Sequence, residues 1–246
     1  MKWSRAALFV TAVIGSAAAV QQALTVRDRT RYPAPGLLVH VDGHQMHLQV
    51  RGPDSAGPTV VLEAGMGSFS PNWYWVQTEL APTVRSVAYD RAGLDWSRVL
   101  SWLGWLGLLR ALNLSRGISA GLPVRQVAEL RAGAALPGFA ATEPAQMRCW
   151  SVSREQLNAA APLGDLPLSV LGVGEQPVGG ELLTALQHEL ALLTEDASFE
   201  IVPGASHESV ISDREYARVV ARTIQAVVQA ARDREQSSSE HSELQM

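Results

Sequence analysis

Apolar and polar positions along the chain fall into segments whose spacing switches between two and about 3.6 residues, the signatures of strand and helix. Leu37-Leu38-Val39-His40-Val41 and Gln45-Met46-His47-Leu48-Gln49-Val50 read as strands. Asp42-Gly43 lies between them, and because both residues accept positive φ the pair predicts a hairpin turn. Thr59 to Glu63 is a short strand with an apolar centre, leading into Ala64-Gly65-Met66-Gly67. Trp73, Tyr74 and Trp75 precede a helix through Leu80, and Ser86-Val87-Ala88-Tyr89-Asp90 is a strand running into Arg91-Ala92-Gly93. Beyond Arg98 the pattern turns helical, first in the strongly apolar Trp102 to Leu112, broken by Gly104 and Gly107, then in Val124 to Ala135 and Ser153 to Ala161. Leu166 to Val173 is the next strand, Glu181 to Leu193 a helix, Phe199 to Val202 a strand and Asp213 to Arg232 a long amphipathic helix. There is no internal repeat. Strands alternating with helices predict an α/β fold with a mostly parallel sheet flanked by helices.

The two ends differ from this body. Lys2 and Arg5 precede an apolar run from Ala6 to Val20, with small residues Ala17-Ala18-Ala19 near its end. That order of charge, apolar run and small residues suits a secretory signal; the run is short for a bilayer span of about 20 residues, yet usable as a retained anchor. Residues 1–25 are therefore expected to be a signal peptide or membrane anchor, with membrane association through residues 6–24 and a secreted or membrane-anchored location. Arginines and prolines make residues 26–36 a linker. Residues 37–232 form the folded domain, with 99–161 as a helical lid-like region. The serine- and glutamate-rich 233–246 is expected to be disordered.

Composition narrows the function classes. The 246 residues are 47% apolar and 18% charged, an ordinary globular balance with enough chain for a substantial core. A net charge of −4 without a basic block argues against nucleic acid as a partner. Cys149 is the single cysteine, so there is no internal disulfide and no zinc-type cysteine spacing. His40, His44 and His47 with Asp42 could suggest a metal, but strand alternation and the turn scatter them, so no metal and no cofactor is expected. The seven tryptophans favour core and lid packing.

Four places carry candidate chemistry. Gly65-Met66-Gly67 can turn sharply and present amide donors to a developing oxyanion, or can be a tight turn alone. His207, on Gly204-Ala205-Ser206-His207 after a late strand, can shuttle a proton, or can be a surface histidine. Glu175, just after a strand, is either its acid partner or a solvated loop residue. Ser119, in Gly117-Ile118-Ser119-Ala120-Gly121, matches a five-residue nucleophile pattern, but no buried β run precedes it and Pro123 follows closely.

Three segments are similar to the α/β-hydrolase superfamily: Tyr32-Pro33-Ala34-Pro35-Gly36, Val60 to Gly67, and Ala88-Tyr89-Asp90-Arg91-Ala92-Gly93-Leu94-Asp95-Trp96-Ser97. More narrowly they resemble the branch whose oxyanion loop reads Leu-Glu-Ala-Gly and whose next strand ends Tyr-Asp-Arg-Ala-Gly. The likeness covers residues 32–98 and, less closely, 165–232. It implies serine hydrolysis of an ester or amide through an acyl-enzyme, on a small acyl substrate. The Met66 amide would then be an oxyanion donor, His207 the general base and Glu175 the acid, unless an acid after an earlier strand serves instead. The strand-turn-helix that should hold the serine belongs after the Tyr-Asp-Arg-Ala-Gly strand. Here Ser97-Arg98 runs directly into Val99-Leu100-Ser101-Trp102, as if that strand, its helix and the next strand were skipped. Such a chain leaves Thr59–Glu63 and Leu168–Val173 either to pair with one another or to stay open at their edges. The readings are a serine hydrolase relying on Ser119, an inactive shortened family member acting as a binding or regulatory module or left without function, and a membrane-tethered protein docking Trp102–Leu112 on lipid.

Overall fold

The computed structural model describes residues 2–54, 57–91, 119–135, 137–176 and 180–243. Helix α1 (Lys2–Arg31) leads to the hairpin β1 (Leu37–Val41) and β2 (His44–Arg51). Their turn is made by Asp42 at φ 47° and Gly43 at φ 79°, as the Asp-Gly dipeptide predicts. There follow β3 (Val60–Glu63), a 3-10 turn over Ser70–Trp73, α2 (Tyr74–Leu80) and β4 (Ser86–Asp90). The second half comprises α3 (Val124–Ala134), α4 (Pro137–Asn158), β5 (Leu168–Glu175), α5 (Gly180–Leu190), β6 (Ala197–Ser206), the single turn α6 (Ser209–Ser212) and α7 (Arg214–Glu243).

Strands and flanking helices make the α/β class plain, but the sheet is in two pieces. One is four-stranded, ordered β1-β2-β4-β3, with β2 antiparallel to both β1 and β4, and β3 parallel to β4. The other is the parallel pair β5-β6. Among the described residues no strand pairs with the outer edge of β3 or of β5. Of the two outcomes the sequence left open, the described residues show these edges unpaired. Val61 on β3 is 64% exposed.

Helix α7 carries the continuity that hydrogen bonding does not. Its small residues Ala217 and Ala221, with Val220, sit against Leu62, Ala88, Val76 and Leu80, and Leu171 of β5 packs on the same cluster. Further along the helix face, Tyr216 and Val219 cover Val173, Val202 and Ala205 of the smaller sheet. A wholly buried side chain such as Leu80 contributes about 1.5–3 kcal/mol, so one helix face holds both sheets.

Several boundaries differ from the sequence pattern. Helix α1 runs through Asp28 to Arg31, so the linker shrinks to Tyr32–Gly36. Helix α4 is much longer than the expected Ser153–Ala161; Gly138 and Pro144 read as breakers, yet the helix continues past both. Helix α7 continues to Glu243 where disorder was expected from Asp233. Its extension is held by Arg234, which reaches Asp165 at 3.3 Å and Asp196 at 3.5 Å. Serines cap the local backbone there, Ser237 donating to the Asp233 carbonyl at 2.9 Å and Ser239 to the Glu235 carbonyl at 2.8 Å. The apolar run Trp102–Leu112 and most of the lid-like stretch before Ser119 lie outside the described residues.

Candidate active site

The loop after β3 is held by bonds that begin and end in the sheet. Ser68 N–H donates to the Gly65 carbonyl at 3.1 Å, and Arg91 Nη2 donates to the same carbonyl at 2.6 Å. Asn72 Oδ1 accepts the Phe69 amide at 3.1 Å. Asp90 Oδ1, at the end of β4, accepts the Ser70 amide at 2.7 Å. The Met66 amide donates to no described residue, and its side chain is half exposed at the tip of the loop.

Behind the loop lies a buried pair for which the sequence offered no local signal. His47 on β2 and Asp90 on β4 are paired in register, with Nδ1 and Oδ2 2.7 Å apart and both side chains out of solvent. His47 Nε2 faces the Pro35 carbonyl at 2.6 Å, an acceptor only, so that nitrogen carries a proton. One imidazole thus joins the linker before β1, the hairpin, the end of β4 and, through Asp90, the oxyanion loop. Among the described residues no group of three or more His, Cys, Asp or Glu gathers. Glu63 at the loop entrance faces Tyr89 across the β3–β4 register, and burial together with the Glu63 carboxylate pushes the Tyr89 phenol up.

His207 lies one residue beyond β6, because that strand extends through Gly204, Ala205 and Ser206 instead of ending at Val202. Its turn is reciprocally capped: Ser206 N–H donates to Ser209 Oγ at 2.8 Å and Ser209 N–H donates to Ser206 Oγ at 3.2 Å. Gly204 is at φ 71°, and a Cβ there would meet Tyr216 Oη at 2.9 Å, so only glycine lets the tyrosine hydroxyl reach the Gly204 carbonyl, at 2.8 Å. The histidine side chain is exposed on this fixed backbone. Glu175 ends β5 and pairs in register with Ser206, which places it beside His207, also exposed. No hydrogen bond joins the two side chains.

Ser119 lies on a turn leading to α3 and is 7% exposed. Its loop is anchored on both sides of the candidate site. Leu122 packs with Phe69 of the oxyanion loop. Gly121, at φ 84°, lies so close to the start of α7 that a Cβ would come within 2.9 Å of the Ser212 carbonyl. Trp75 Nε1 donates to the Gly121 carbonyl at 2.9 Å. The structure therefore brings the Ser119 loop between the oxyanion loop and the segment bearing His207, closer than sequence context suggested. What it does not supply is an elbow: four residues lie between Ser119 and the first residue of α3, whereas a nucleophile elbow opens its helix at the serine. No hydrogen bond connects Ser119 with His207.

A cavity of about 700 Å³ opens on the other side of Glu175, between α5 and the smaller sheet, lined by Gln176, Thr184, His188 and Phe199 among others. Met66, Ser119 and His207 do not line it, so this cavity is separate from the candidate chemistry.

No family model matches the chain. A curated probable transporter from Hormonema carpetanum is 37% identical over 62 residues, 24% of this chain, and the chain spans 9% of that protein's length. Solved structures align far more extensively. An epoxide hydrolase from Vigna radiata superposes with TM-score 0.57 at 12% identity, covering 79% of this chain and 97% of that one. An enol-lactonase from Burkholderia xenovorans gives 0.52 at 17%, covering 78% and 100%. A putative lipase from Acinetobacter baumannii gives 0.53 at 12%, covering 86% and 97%. At such identities the likeness speaks for architecture alone, and with the split sheet it is enough to conclude that this chain carries the α/β-hydrolase fold.

Proposed function

We propose that the chain is a shortened serine-hydrolase relative, secreted or membrane-held, that keeps the oxyanion loop and the histidine turn but has no assembled nucleophile. In the complete machinery an ester or amide would be attacked by a serine, with His207 as base, Glu175 as its acid and the Met66 amide on the oxyanion. The observation that carries this reading is where the sheet breaks. Among the described residues the break falls between β3, which leads into the Gly65-Met66-Gly67 loop, and β5, which leads to Glu175, where a central elbow strand would lie. The chain is then a binding or regulatory module, or a non-functional product, with at most residual hydrolysis. Transcripts carrying a continuous elbow-coding segment between Arg98 and Val99 support the shortened origin, and their absence from every sample refutes it.

The active alternative rests on the Ser119 loop, whose contacts with Phe69 and Ser212 put a buried serine between the two halves of the machinery. A fluorophosphonate probe with mass mapping of the modified residue separates the two readings. Absence of label on a chain that unfolds cooperatively supports the inactive module. Label at Ser119, abolished by Ser119→Ala, overturns it in favour of a working hydrolase.

A further inference from the structure

Helix α1 is built the wrong way round for water. Its apolar side chains Leu8, Phe9, Val10, Val13 and Ile14 are 49–71% exposed, while Gln21, Thr25 and Asp28 are 2–6% exposed. These three polar residues fall on one face, at spacings of four and three. They face the folded body: Gln21 Nε2 donates to the Ala135 carbonyl at 2.9 Å, which satisfies an acceptor at the C-terminal end of α3. Gln21 also bonds Thr25 Oγ1 at 3.4 Å. A helix serving a water-soluble core buries its apolar face and exposes its polar one; this helix does the reverse.

We infer that α1 is a retained membrane anchor: its first two-thirds insert into a lipid bilayer, and the seam Gln21-Thr25-Asp28 clamps its last turns to the hydrolase-fold body. Two observations favour lipid over a second copy of the chain. Leu8, Phe9 and Val10 are consecutive, so the exposed apolar surface runs around the helix, whereas a dimer seam would need one stripe. The most apolar 18-residue window within Leu8–Arg31 has a mean hydropathy of 1.5, and 11% of that window is buried. The apolar run Ala6–Val20 extends about 22 Å at 1.5 Å per residue, most of the roughly 30 Å of a hydrocarbon core. Cationic residues flank it, Lys2 and Arg5 before and Arg27, Arg29 and Arg31 after, suited to headgroups at both limits. Because the clamp begins immediately after the insert, the body is held against the membrane surface instead of swinging on a flexible tether.

The test is flotation of the full chain with phosphatidylcholine vesicles through a density gradient, in high salt and after alkaline carbonate. The parent chain is expected to float. The double variant L8R/I14R alters two exposed positions outside the body, so its melting should match the parent while its floated fraction falls at least tenfold. Equal flotation of parent and variant overturns the anchor, as does a mature protein whose first residue lies beyond Ala19. A soluble dimer that fails to float assigns the surface to a second copy and overturns it too. For the clamp, Gln21→Ala should keep flotation but raise the rate of proteolysis within Tyr32–Gly36 several-fold; an unchanged rate overturns the clamp.

Discussion

Removing the His47 side chain should destabilise the whole fold, because that imidazole ties four backbone segments together without access to water. In His47→Ala, Asp90 loses a buried partner at 2.7 Å and the Pro35 carbonyl loses a donor at 2.6 Å. Breaking a buried pair by deleting one member costs about 3–5 kcal/mol, since the other keeps its desolvation penalty. The lost bond to Pro35 adds about 1 kcal/mol. Against a total stability of about 5–15 kcal/mol this is a large share. With a urea dependence of about 2–3 kcal/mol per M, the midpoint should fall by about 1.3–3 M. Equilibrium urea denaturation followed by circular dichroism reads that shift directly. His44→Ala, on the same strand but exposed, is the control and should move stability by less than about 0.5 kcal/mol. The cycle of His47→Ala, Asp90→Ala and the double variant should show a coupling of at least about 2 kcal/mol, the size expected of residues in one buried network. If His47→Ala behaves like His44→Ala, or if the cycle is additive, the pair does not hold the oxyanion loop to the sheet and the reasoning fails.

Three further outcomes follow from the same geometry. Val61→Lys, on the open edge of β3, should slow aggregation of the purified chain while changing stability by less than about 0.5 kcal/mol, because an edge lysine blunts strand pairing; unchanged aggregation would mean the edge is not the sticking surface. Glu63→Gln should lower the pH at which Tyr89 ionises, read by phenolate absorbance. The neighbouring carboxylate and burial disfavour the charged phenolate, so the folded protein holds this proton more tightly, and the stability involved is present below the ordinary tyrosine range and fades as pH rises through the raised value; an unmoved titration refutes the Glu63 contribution. Gly121→Ala should cost about 1–3 kcal/mol, because it combines a positive φ with a 2.9 Å approach to the Ser212 carbonyl; a neutral result would show that the Ser119 loop does not pack against α7.

What was legible in the chain was whatever local chemistry decides. Asp42-Gly43 set the hairpin turn, and Ser86–Asp90 forms its strand residue for residue around the β-favouring Val87 and Tyr89. Breakers misled where tertiary or helical context overrode them. Gly138 and Pro144 hid α4, and Pro203-Gly204 made β6 look as if it stopped at Val202. The strand in fact continues to Ser206 beyond the irregularity opposite Val173 and Glu175. The serine-rich end of α7 read as unfolded since its stabilising partners, Asp165 and Asp196, are remote in sequence. Met66, Glu175 and His207 were singled out because each lies at or beyond the end of a strand in the sequence pattern, where loops carry function. His47 and Asp90 were seen but not paired: they lie 43 positions apart, and only the β2–β4 register brings them face to face.

The broken sheet also bears on why the candidate groups are not joined by hydrogen bonds. In an intact sheet the ladder between neighbouring strands sets the spacing of the loops at their ends to within tenths of an ångström. Among the described residues no ladder connects β3 to β5, and the loop after β3 and the His207 turn are related through side-chain packing on α7 and through the Ser119 loop. Packing of this kind stabilises: several buried apolar residues at about 1.5–3 kcal/mol each suffice to keep both sheets on one helix. It positions less stringently than a ladder, because Leu, Val and Ala contacts tolerate sliding that directional bonds resist. The unpaired edge groups cost little while they face water. Catalysis is the stricter requirement, since a misplacement of about 1 Å can cost about 100-fold in rate. A chain that loses its central strand can therefore retain a fold held by α7 while losing the alignment that acyl transfer needs, which is the physical ground for reading this protein as a fold kept without its full chemistry.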